Sequence, residues 1–262
     1  MRKNEYDEMH ALEADFWWFA GMRSVTSAVL RRHVNGRPGR FLDVGCGTGI
    51  NLLWMGKTLQ PALIVGCDYA AEAVKWCGVT IRQGAGGASS APPVLSRGDV
   101  RSLPFRTDTF DVFTILDVLD QFPPGEQVLQ SFRELQRVLR PGGVAFVRSP
   151  AYRWLLSSHD HVYETKYRYS AEELRNVMTA AGFHVLETTY ANTLLFPLAV
   201  IQRVLRILTG YKGQKTDAQP WPPALEWLNG PFRRCLEAEA AWLRSGRRLA
   251  FGLSVICVAQ KP

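Results

Sequence analysis

The sequence predicts an α/β protein whose core is a doubly wound, mostly parallel sheet. Between residues 40 and 150, short apolar runs typical of buried strands alternate with helical stretches. Parallel strands need crossover connections, usually helices, so this alternation indicates strand–helix–strand units. The 262 residues, 47% of them hydrophobic, suffice for one large core, and a single domain with insertions is expected. Strands are predicted at 41–44, 62–67, 94–96, 110–116 and 143–149, and helices near 48–59, 70–78 and 125–139.

Segments outside this alternation divide the chain further. Residues 1–39 carry apolar side chains at helical spacing and predict an N-terminal helical lid. Residues 40–192 are expected to form the ligand-binding α/β core, which ends in a capped helix and a strand. Residues 193–247 are expected to form a helical insertion that serves as a substrate lid or an oligomer contact. Residues 248–262 then supply a C-terminal strand that completes the core sheet.

Composition and charge argue against several classes of function. The formal net charge of +7 is spread thinly and the densest basic cluster, 244–248, is short, so nucleic acid is not an expected partner. The longest apolar run, 194–201, is far too short to span a bilayer, which predicts a cytoplasmic protein without integral membrane contact. The five cysteines lack metal-ligand spacing and are interpreted as buried free thiols. We therefore expect no metal site.

A glycine-rich turn, GCGTG, follows the first predicted strand and supplies Gly45, Gly47 and Gly49. Glycines at such a strand-to-helix turn let the backbone approach a ligand without a Cβ in the way. A dinucleotide fingerprint would need glycine at position 50, which is Ile50, and a phosphate loop would need a Gly-Lys-Ser/Thr ending. The turn therefore favours close approach to a ligand without an evident demand for pyrophosphate.

Two acidic residues lie where the second and third predicted strands end. Asp68 stands at a strand terminus, where a carboxylate can accept hydrogen bonds from both hydroxyls of a ribose. Its alternative role is the N-cap of the following helix. Asp99 can accept a hydrogen bond from the exocyclic amine of adenine while the Val100 N–H serves a ring nitrogen, and its alternative role is to form a turn. Together these residues predict a nucleoside site.

Five motifs resemble those of the class I S-adenosylmethionine-dependent methyltransferases in their order and spacing. They are FLDVGCGTG, VGCDYA, GDVRSLPF, FDVFTILDVLDQF and LRPGGVAFV, and they span residues 41–147. The N-terminal FWWFAGMR and the tail RRLAFGLSVICVAQKP also look like a bacterial subgroup that acts on small molecules. The resemblance implies a Rossmann-like seven-stranded sheet, S-adenosylmethionine as the cofactor and S-adenosylhomocysteine as the product.

The resemblance also implies roles for individual residues. The glycines would admit the methionine part of the cofactor, and Asp43 would organise the turn near its amino group. The segment that contains Leu116 and Asp117 would lie beneath the sulfonium, where these two residues present backbone or side-chain acceptors to the cofactor.

The aromatic N-terminal segment allows two interpretations. In one, it is an amphipathic helix packed on the core. In the other, it is a lid in which Trp17 or Trp18 covers the cofactor and Arg23 binds its carboxylate, since a guanidinium matches that group bidentately. The predicted cofactor-binding residues are Trp18, Arg23, Asp43, Gly45, Gly47, Gly49, Asp68, Tyr69, Asp99, Val100, Leu116 and Asp117.

Catalysis by such an enzyme needs few protein groups. A sulfonium methyl is already activated, so transfer is an in-line displacement that needs alignment and desolvation rather than a metal. Many members of the family carry Glu-His where this chain has Asp120–Gln121, and Gln121 hydrogen-bonds but cannot act as a base. His159 and His161 follow the fifth strand in a loop that is solvated or catalytic. They are the predicted general bases because an unperturbed histidine titrates near neutral pH. The predicted catalytic residues are His159, His161 and Gln121.

The sequence of the predicted insertion indicates which class of substrate accepts the methyl group. TLLFPLAVIQRVLRILTG alternates apolar and arginine positions at helical spacing, which is typical of a lid, a dimer helix or an interfacial helix that meets a lipid-like substrate. With Trp221, Trp227 and Trp242 in the same insertion, a small hydrophobic or aromatic acceptor is predicted. The alternatives are an enzyme that acts on a sugar or a lipid-linked glycan, and a non-catalytic S-adenosylmethionine-binding protein. A homo-oligomer would form through the N-terminal or inserted helices, and the methylated atom, O, N or C, stays open.

Overall fold

The structure is a computed structural model that describes residues 3–84, 92–156, 165–209 and 223–262. Strands in these ranges form one seven-stranded sheet with helices on both faces. The strands are β1 (Arg40–Val44), β2 (Leu63–Asp68), β3 (Val94–Arg97), β4 (Phe110–Leu116), β5 (Leu139–Pro150), β6 (His184–Ala191) and β7 (Ser254–Gln260). Their order is β3-β2-β1-β4-β5-β7-β6. Among them β7 runs antiparallel to both of its neighbours, and the other pairs are parallel.

The described helices are α1 (Lys3–Glu13), α2 (Trp17–Leu30), α3 (Ile50–Leu59), α4 (Ala71–Gly84), α5 (Glu126–Val138), α6 (Ala171–Ala180), α7 (Phe196–Thr209) and α8 (Asn229–Arg244). Helices α5 and α6 bury their apolar residues on one face of the sheet. Helices α2, α3, α4 and α8 do so on the other. The sheet is therefore covered on both sides, as its nearly continuous apolar strands require.

Local sequence explains why α5 and α6 form where they do. In α5 the buried residues Val128, Phe132 and Leu135 recur at helical spacing and give one apolar stripe. Helix α6 starts with a capping box, because the Ser170 hydroxyl accepts from the Glu173 N–H while the Glu173 carboxylate accepts from the Ser170 N–H. Both helices thus pack on the sheet with defined ends.

The predicted α/β class and the seven-stranded, mostly parallel sheet are confirmed. All five strands expected between residues 40 and 150 are present, with shifted ends. Strand β5 begins at Leu139 rather than 143, because Leu139 pairs with Phe110 ahead of an irregularity in the register with β4. The N-terminal segment forms two helices rather than one, since Phe16 has an extended backbone with φ −65° and ψ 131°.

The order of the strands places the functional edge of the sheet. From β1 the chain proceeds outward through β2 to β3, and then returns to the other side of β1 as β4. The connections after β1 and β4 therefore leave in opposite directions. A crevice opens between them at the carboxyl ends of the strands, which is where doubly wound sheets bind ligands.

Helices α2 and α8 pack closely, although about 200 residues separate them in the sequence. A Cβ added to Gly21 would lie 2.6 Å from Leu236 Cβ, so the glycine permits this approach. The Asn229 side chain accepts from the Trp17 N–H at 2.7 Å, and the Trp17 and Phe232 rings meet edge to face with centroids 5.2 Å apart. This helix pair brings the N-terminal segment and the insertion to one side of the crevice.

Candidate active site

A cavity of about 1140 Å³ lies beyond the carboxyl ends of β1, β2 and β4. Its wall contains the turn after β1, the residues that follow β2, β3 and β4, and side chains of α1, α2, α7 and α8. Pockets for one small molecule have about 300–1,000 Å³. The cavity is therefore large enough for a cofactor and a second small molecule side by side.

The first two glycines of the turn line the cavity. Gly45 and Gly47 have φ angles of +73° and +53°, a left-handed conformation in which glycine is unstrained. A Cβ on Gly45 would lie 2.2 Å from Val118 Cγ2, so the turn is packed against the connection after β4. A Cβ on Gly47 would meet only Met9 Cε, at 3.6 Å. Gly47 therefore leaves open the space between the turn and α1.

Asp68 ends β2 and is bound to the glycine turn. Its Oδ2 accepts from the Gly47 N–H at 3.0 Å and its Oδ1 from the Ala70 N–H at 2.9 Å, while burial raises the pKa of the carboxyl. Each oxygen has a further lone pair, and Asp68 lines the cavity together with the exposed Tyr69. The carboxylate thus joins the turn to β2 and offers acceptors to a ligand, while its hydrogen bond to the Ala70 N–H lies just ahead of α4, which begins at Ala71, and does not cap that helix.

Asp99 and Val100 line the cavity after β3. The Asp99 carboxylate is engaged by Arg101, whose Nη2 donates to Oδ2 at 2.6 Å and whose Nε donates to Oδ1 at 3.0 Å. These hydrogen bonds lower the pKa of Asp99. The Arg101 and Ser102 N–H groups also donate to this residue, to Oδ1 and to the carbonyl respectively. Asp99 therefore forms the turn that sequence reasoning gave as its alternative role, while it stands at the position expected for the adenine site.

Asp117, directly after β4, lines the cavity in a strained conformation. Its φ is +55°, which is uncommon for a residue with a side chain. Arg148 Nε donates to Asp117 Oδ2 at 3.0 Å, and the Arg148 guanidinium lies over the Trp18 ring at 5.4 Å. Asp117 Oδ1 is buried with no hydrogen-bond partner. Leu116 and Trp18 line the same region, so α2 and the end of β4 meet at the predicted cofactor site.

Three predicted cofactor residues, Asp43, Gly49 and Arg23, lie outside the cavity wall. Asp43 is buried inside β1, where the Thr114 hydroxyl donates to its Oδ1 at 2.7 Å and burial raises its pKa to about 7. Gly49 begins α3 with a φ of +91°, and a Cβ there would lie 2.4 Å from Cys77 Sγ. Asp43 and Gly49 hold the turn from behind, and neither is placed to contact a ligand in the cavity directly.

Arg23 also lies outside the wall, and Glu13 takes a place that the sequence did not indicate. The Arg23 guanidinium donates to the carbonyls of Glu13 at 2.7 Å and Ala14 at 2.9 Å. The Glu13 side chain lines the cavity, accepts from the Thr48 hydroxyl and is 6% exposed. Burial raises its pKa to about 8. No motif distinguishes Glu13 from the exposed acids around it, so only the fold could reveal it.

The predicted catalytic residues are placed only in part. Gln121 lines the cavity, in a short 3-10 turn at Leu119–Gln121, whereas His159 and His161 lie outside the described residues. Next to Gln121, Asp120 also lines the cavity and accepts from the Thr165 hydroxyl at 2.5 Å. Sequence reasoning named Asp120 as a departure from the family pattern but gave it no role.

The part of the cavity wall that the strand ends do not form is rich in apolar side chains. It is lined by side chains from the N-terminal helices, from the turn after β5, and from the insertion. These are Phe16, Trp17, Phe19, Leu155, Leu195, Leu198, Ala199, Leu228 and Phe232. An acceptor bound here would contact these apolar side chains together with polar neighbours in the cavity wall, among them Gln121, Lys166, Asn192, Gln202 and Arg203.

Helix α7 continues this apolar surface to the outside. Leu198 lines the cavity and is also 51% exposed, and Leu194, Ile201 and Val204 are exposed around it. Within the described ranges no helix has the length and apolar character needed to cross a bilayer. The apolar strip therefore lies at the opening of the cavity on a helix of ordinary length.

The residues present fit S-adenosylmethionine. Asp68 stands beside a glycine whose position leaves the ligand space open, as a ribose would require. Asp117 Oδ1 is a buried acceptor without a donor, which an ammonium group would satisfy. In the described part of the chain, no group of His, Cys, Asp and Glu side chains is arranged to hold a metal ion.

Comparison with known proteins gives one family. A family model described as a methyltransferase domain matches residues 42–147. The 2-phytyl-1,4-naphtoquinone methyltransferase of Synechococcus elongatus is 31% identical over 183 residues, which cover 68% of this chain and 74% of the relative. The demethylmenaquinone methyltransferase of Corynebacterium kroppenstedtii is 32% identical over 124 residues, covering 47% of each chain. A phthiotriol/phenolphthiotriol dimycocerosates methyltransferase of Mycobacterium ulcerans is 33% identical over 42% of this chain and 37% of the relative. These last two matches span less than half of the relatives' length.

Solved structures show the same fold at low sequence identity. The [4+2]-cyclase SpnF superposes with a TM-score of 0.62 and 21% identity, over 99% of this chain and 95% of that one. The phosphoethanolamine N-methyltransferase 2 of Haemonchus contortus, solved in complex with S-adenosyl-L-methionine, gives a TM-score of 0.63 and 14% identity over 100% of this chain and 57% of that one. Since one of these neighbours is a cyclase, the shared fold alone does not determine which reaction is catalysed.

Proposed function

The chain belongs to the class I S-adenosylmethionine-dependent methyltransferases, and from this premise we propose that it methylates a small hydrophobic acceptor of the quinone or lipid type. The observation that carries the proposal is the division of one cavity into two sides. The strand ends supply carboxylates and glycines, and α2, α7 and α8 supply mostly apolar side chains. A cofactor and a hydrophobic acceptor would thus lie next to each other.

The residues proposed to hold the cofactor lie along the carboxyl edge of β1, β2, β3 and β4. Asp68 would accept from the ribose hydroxyls, the segment at Asp99 and Val100 would bind the adenine, and Asp117 Oδ1 would accept from the amino group. Gly45 and Gly47 would admit the methionine part. When bound, the cofactor supplies a methyl group on a positively charged sulfur, which an acceptor atom can displace in line.

The acceptor class follows from the composition of the other side and from the relatives. Its aromatic and aliphatic side chains offer dispersion contacts to an apolar acceptor, and Asn192, Gln202 and Arg203 add polar groups to the same wall. The named relatives act on a phytyl naphthoquinone, a demethylmenaquinone and a phthiotriol lipid. A ring or chain of this kind suits the apolar wall and the exposed apolar face of α7.

The protein's own part in catalysis is to align the acceptor and exclude water. We assign the covering role to residues 1–39 and 193–247, because α2 packs against α8 and both Trp17 and Phe232 line the cavity. Holding the two reactants in line can contribute about 7–11 kcal/mol to lowering a barrier. The water-excluding aromatic cover would add to this by desolvating the reacting groups.

The test is a binding measurement followed by an acceptor panel. Calorimetry with S-adenosylmethionine is expected to show one site per chain. Release of S-adenosylhomocysteine is then followed with a reduced naphthoquinone carrying an isoprenoid tail, the same ring without the tail, a long-chain fatty acid and a nucleotide sugar. We expect turnover with the apolar acceptors and a lower KM for the tailed ring. Turnover with the sugar alone would support the glycan alternative, and binding without turnover of any acceptor in a broad library would support a non-catalytic protein.

A further inference from the structure

A buried carboxyl group stands in the cavity wall beside the proposed acceptor site. Asp120 belongs to the 3-10 turn after β4 and is 4% exposed. Its carbonyl accepts from the Lys166 N–H at 2.7 Å and the Tyr167 N–H at 2.9 Å, which ties this turn to the segment that begins at Thr165. The Thr165 hydroxyl donates to Asp120 Oδ2 at 2.5 Å. Asp120 and Thr165 both line the cavity.

The surroundings of Asp120 favour its protonated form. Its Oδ1 is buried and has no hydrogen-bond partner, and a buried carboxylate with an unsatisfied oxygen is costly. Burial, with a smaller contribution from the nearby Asp117, raises the pKa of Asp120 to about 7, while the Thr165 hydroxyl and Arg168 act in the opposite direction. Tyr169 also faces the group, since Asp120 contributes to raising the pKa of that phenol. The carboxyl can therefore exchange a proton near neutral pH.

Other carboxyl groups of the wall are committed elsewhere. Asp117 is paired with Arg148, and Asp99 is paired with Arg101. Glu13 accepts from Thr48 at the N-terminal side of the cavity, and Asp68 is bound by the glycine turn. Asp120 differs from these because its hydroxyl partner, Thr165, itself lines the cavity.

We propose that Thr165 and Asp120 form a relay that takes up the proton lost by a hydroxyl-bearing acceptor. This inference rests on the proposed function. As the acceptor atom bonds to the methyl carbon and the carbon–sulfur bond breaks, the acceptor hydroxyl gives its proton to Thr165 Oγ1. The original Thr165 proton moves to Asp120 Oδ2, which goes from carboxylate to carboxylic acid. The positive charge of the sulfonium and the negative charge of Asp120 are both cancelled, so charge and protons balance.

The relay predicts how three substitutions differ. Asp120→Asn keeps the shape and an acceptor for Thr165 but cannot take a proton, so kcat should fall about 10²-fold or more with cofactor affinity unchanged. Thr165→Val removes the bridging hydroxyl and should cost a similar factor. Thr165→Ser restores a hydroxyl and should recover most of the rate. The matched control is Asp108→Asn. Asp108 is exposed and pairs with Lys261 at the edge of the sheet opposite the cavity, so this substitution should leave kcat unchanged.

A readout that needs neither cofactor nor acceptor accompanies the kinetics. The infrared carbonyl band of protonated carboxyl groups is titrated in wild type and in Asp120→Asn, and the difference spectrum isolates Asp120 because the other acids are common to both. The expected midpoint is about pH 7. The kcat of the wild type should rise with pH through the same midpoint, because the carboxylate is the form that accepts the proton.

The outcomes separate the relay from its alternatives. A midpoint near the ordinary value for Asp, or an Asp120→Asn variant with wild-type kcat and pH profile, would overturn the proposal. Full loss of activity in His159→Ala or His161→Ala, with Asp120→Asn unaffected, would assign the proton to that loop instead. If the wild type binds S-adenosylmethionine but methylates nothing, the proposed function fails, whereas the infrared midpoint still tests the carboxyl. Unfolding temperatures of all variants, measured in parallel, identify any loss that comes from misfolding.

Discussion

Replacing Glu13 by Gln should remove a large part of the alkaline destabilisation of this protein. Glu13 is buried in the cavity wall, where the Thr48 hydroxyl is its hydrogen-bond donor, and Gln keeps the size and an acceptor for that donor. Burial raises the pKa of Glu13 to about 8 in the folded chain, whereas the unfolded chain releases this proton near the ordinary glutamate value of 4.5. Between these values the folded state binds more protons, so its stability falls as the pH rises.

The size of the effect follows from the two pKa values. Each pH unit between 4.5 and about 8 is worth about 1.36 kcal/mol, so the full loss is about 5 kcal/mol of unfolding free energy. This contribution is fully present below pH 4.5 and gone above about pH 8. Glu13→Gln should therefore match the wild type within about 1 kcal/mol at pH 5 and exceed it by several kcal/mol at pH 9.

Urea unfolding at pH 5, 7 and 9, without cofactor and at constant ionic strength, measures this difference. Glu126→Gln is the matched control, because the Glu126 side chain is 79% exposed and should follow the wild-type profile. A gap between Glu13→Gln and the wild type that is the same at pH 5 and pH 9 would refute the reasoning. It would show that Glu13 is ionised in the folded protein throughout this range.

Three further predictions concern the two sides of the cavity. Asp68→Ala should weaken S-adenosylmethionine binding by about 2 kcal/mol through lost charge-assisted ribose hydrogen bonds, and unchanged affinity in calorimetry would remove Asp68 from the site. Gly47→Val should abolish cofactor binding in a folded protein, whereas Gly142→Val, which has a φ of +75° with nothing near its Cβ, carries similar strain and should bind normally. Equal cofactor affinity in the two variants would show that Gly47 serves only the backbone conformation of the turn. Leu198→Asp should raise KM for apolar acceptors about fivefold. Val94→Asp, at a residue of β3 with the same 51% exposure, is the control and should leave KM unchanged. Equal KM values for the two variants would show that α7 does not contact the acceptor.

The parts that sequence reasoning anticipated are those fixed by local pattern. Alternating apolar runs located the strands, and the turn after β1 was identified because glycine is the residue that tolerates its left-handed backbone. Asp68 was predicted at the ligand edge because it ends a parallel strand, and it does line the cavity there. The ion pair between Asp99 and Arg101 is also a local feature, because the two residues lie only two positions apart in the sequence.

The parts it missed depend on contacts between distant segments. Arg23 was expected at the cofactor, but the two carbonyls that it binds become available only because the chain breaks between α1 and α2. Glu13 and Asp120 look like ordinary surface acids until the fold buries them. Gly49 was assigned to a ligand although its space is filled by Cys77 from α4, a packing contact that periodicity cannot reveal.

The packing of α2 against α8 has a consequence for recombining this enzyme with its relatives. Grafting α2 alone would set a foreign residue against Leu236 where only Gly21 fits, and would remove the Trp17 ring that meets Phe232 edge to face. Segments from both ends of the gene must therefore be exchanged together if a chimera is to acquire a new acceptor preference. The central stretch that encodes β1 to β4 would stay in place, so one cofactor module could serve many such paired grafts.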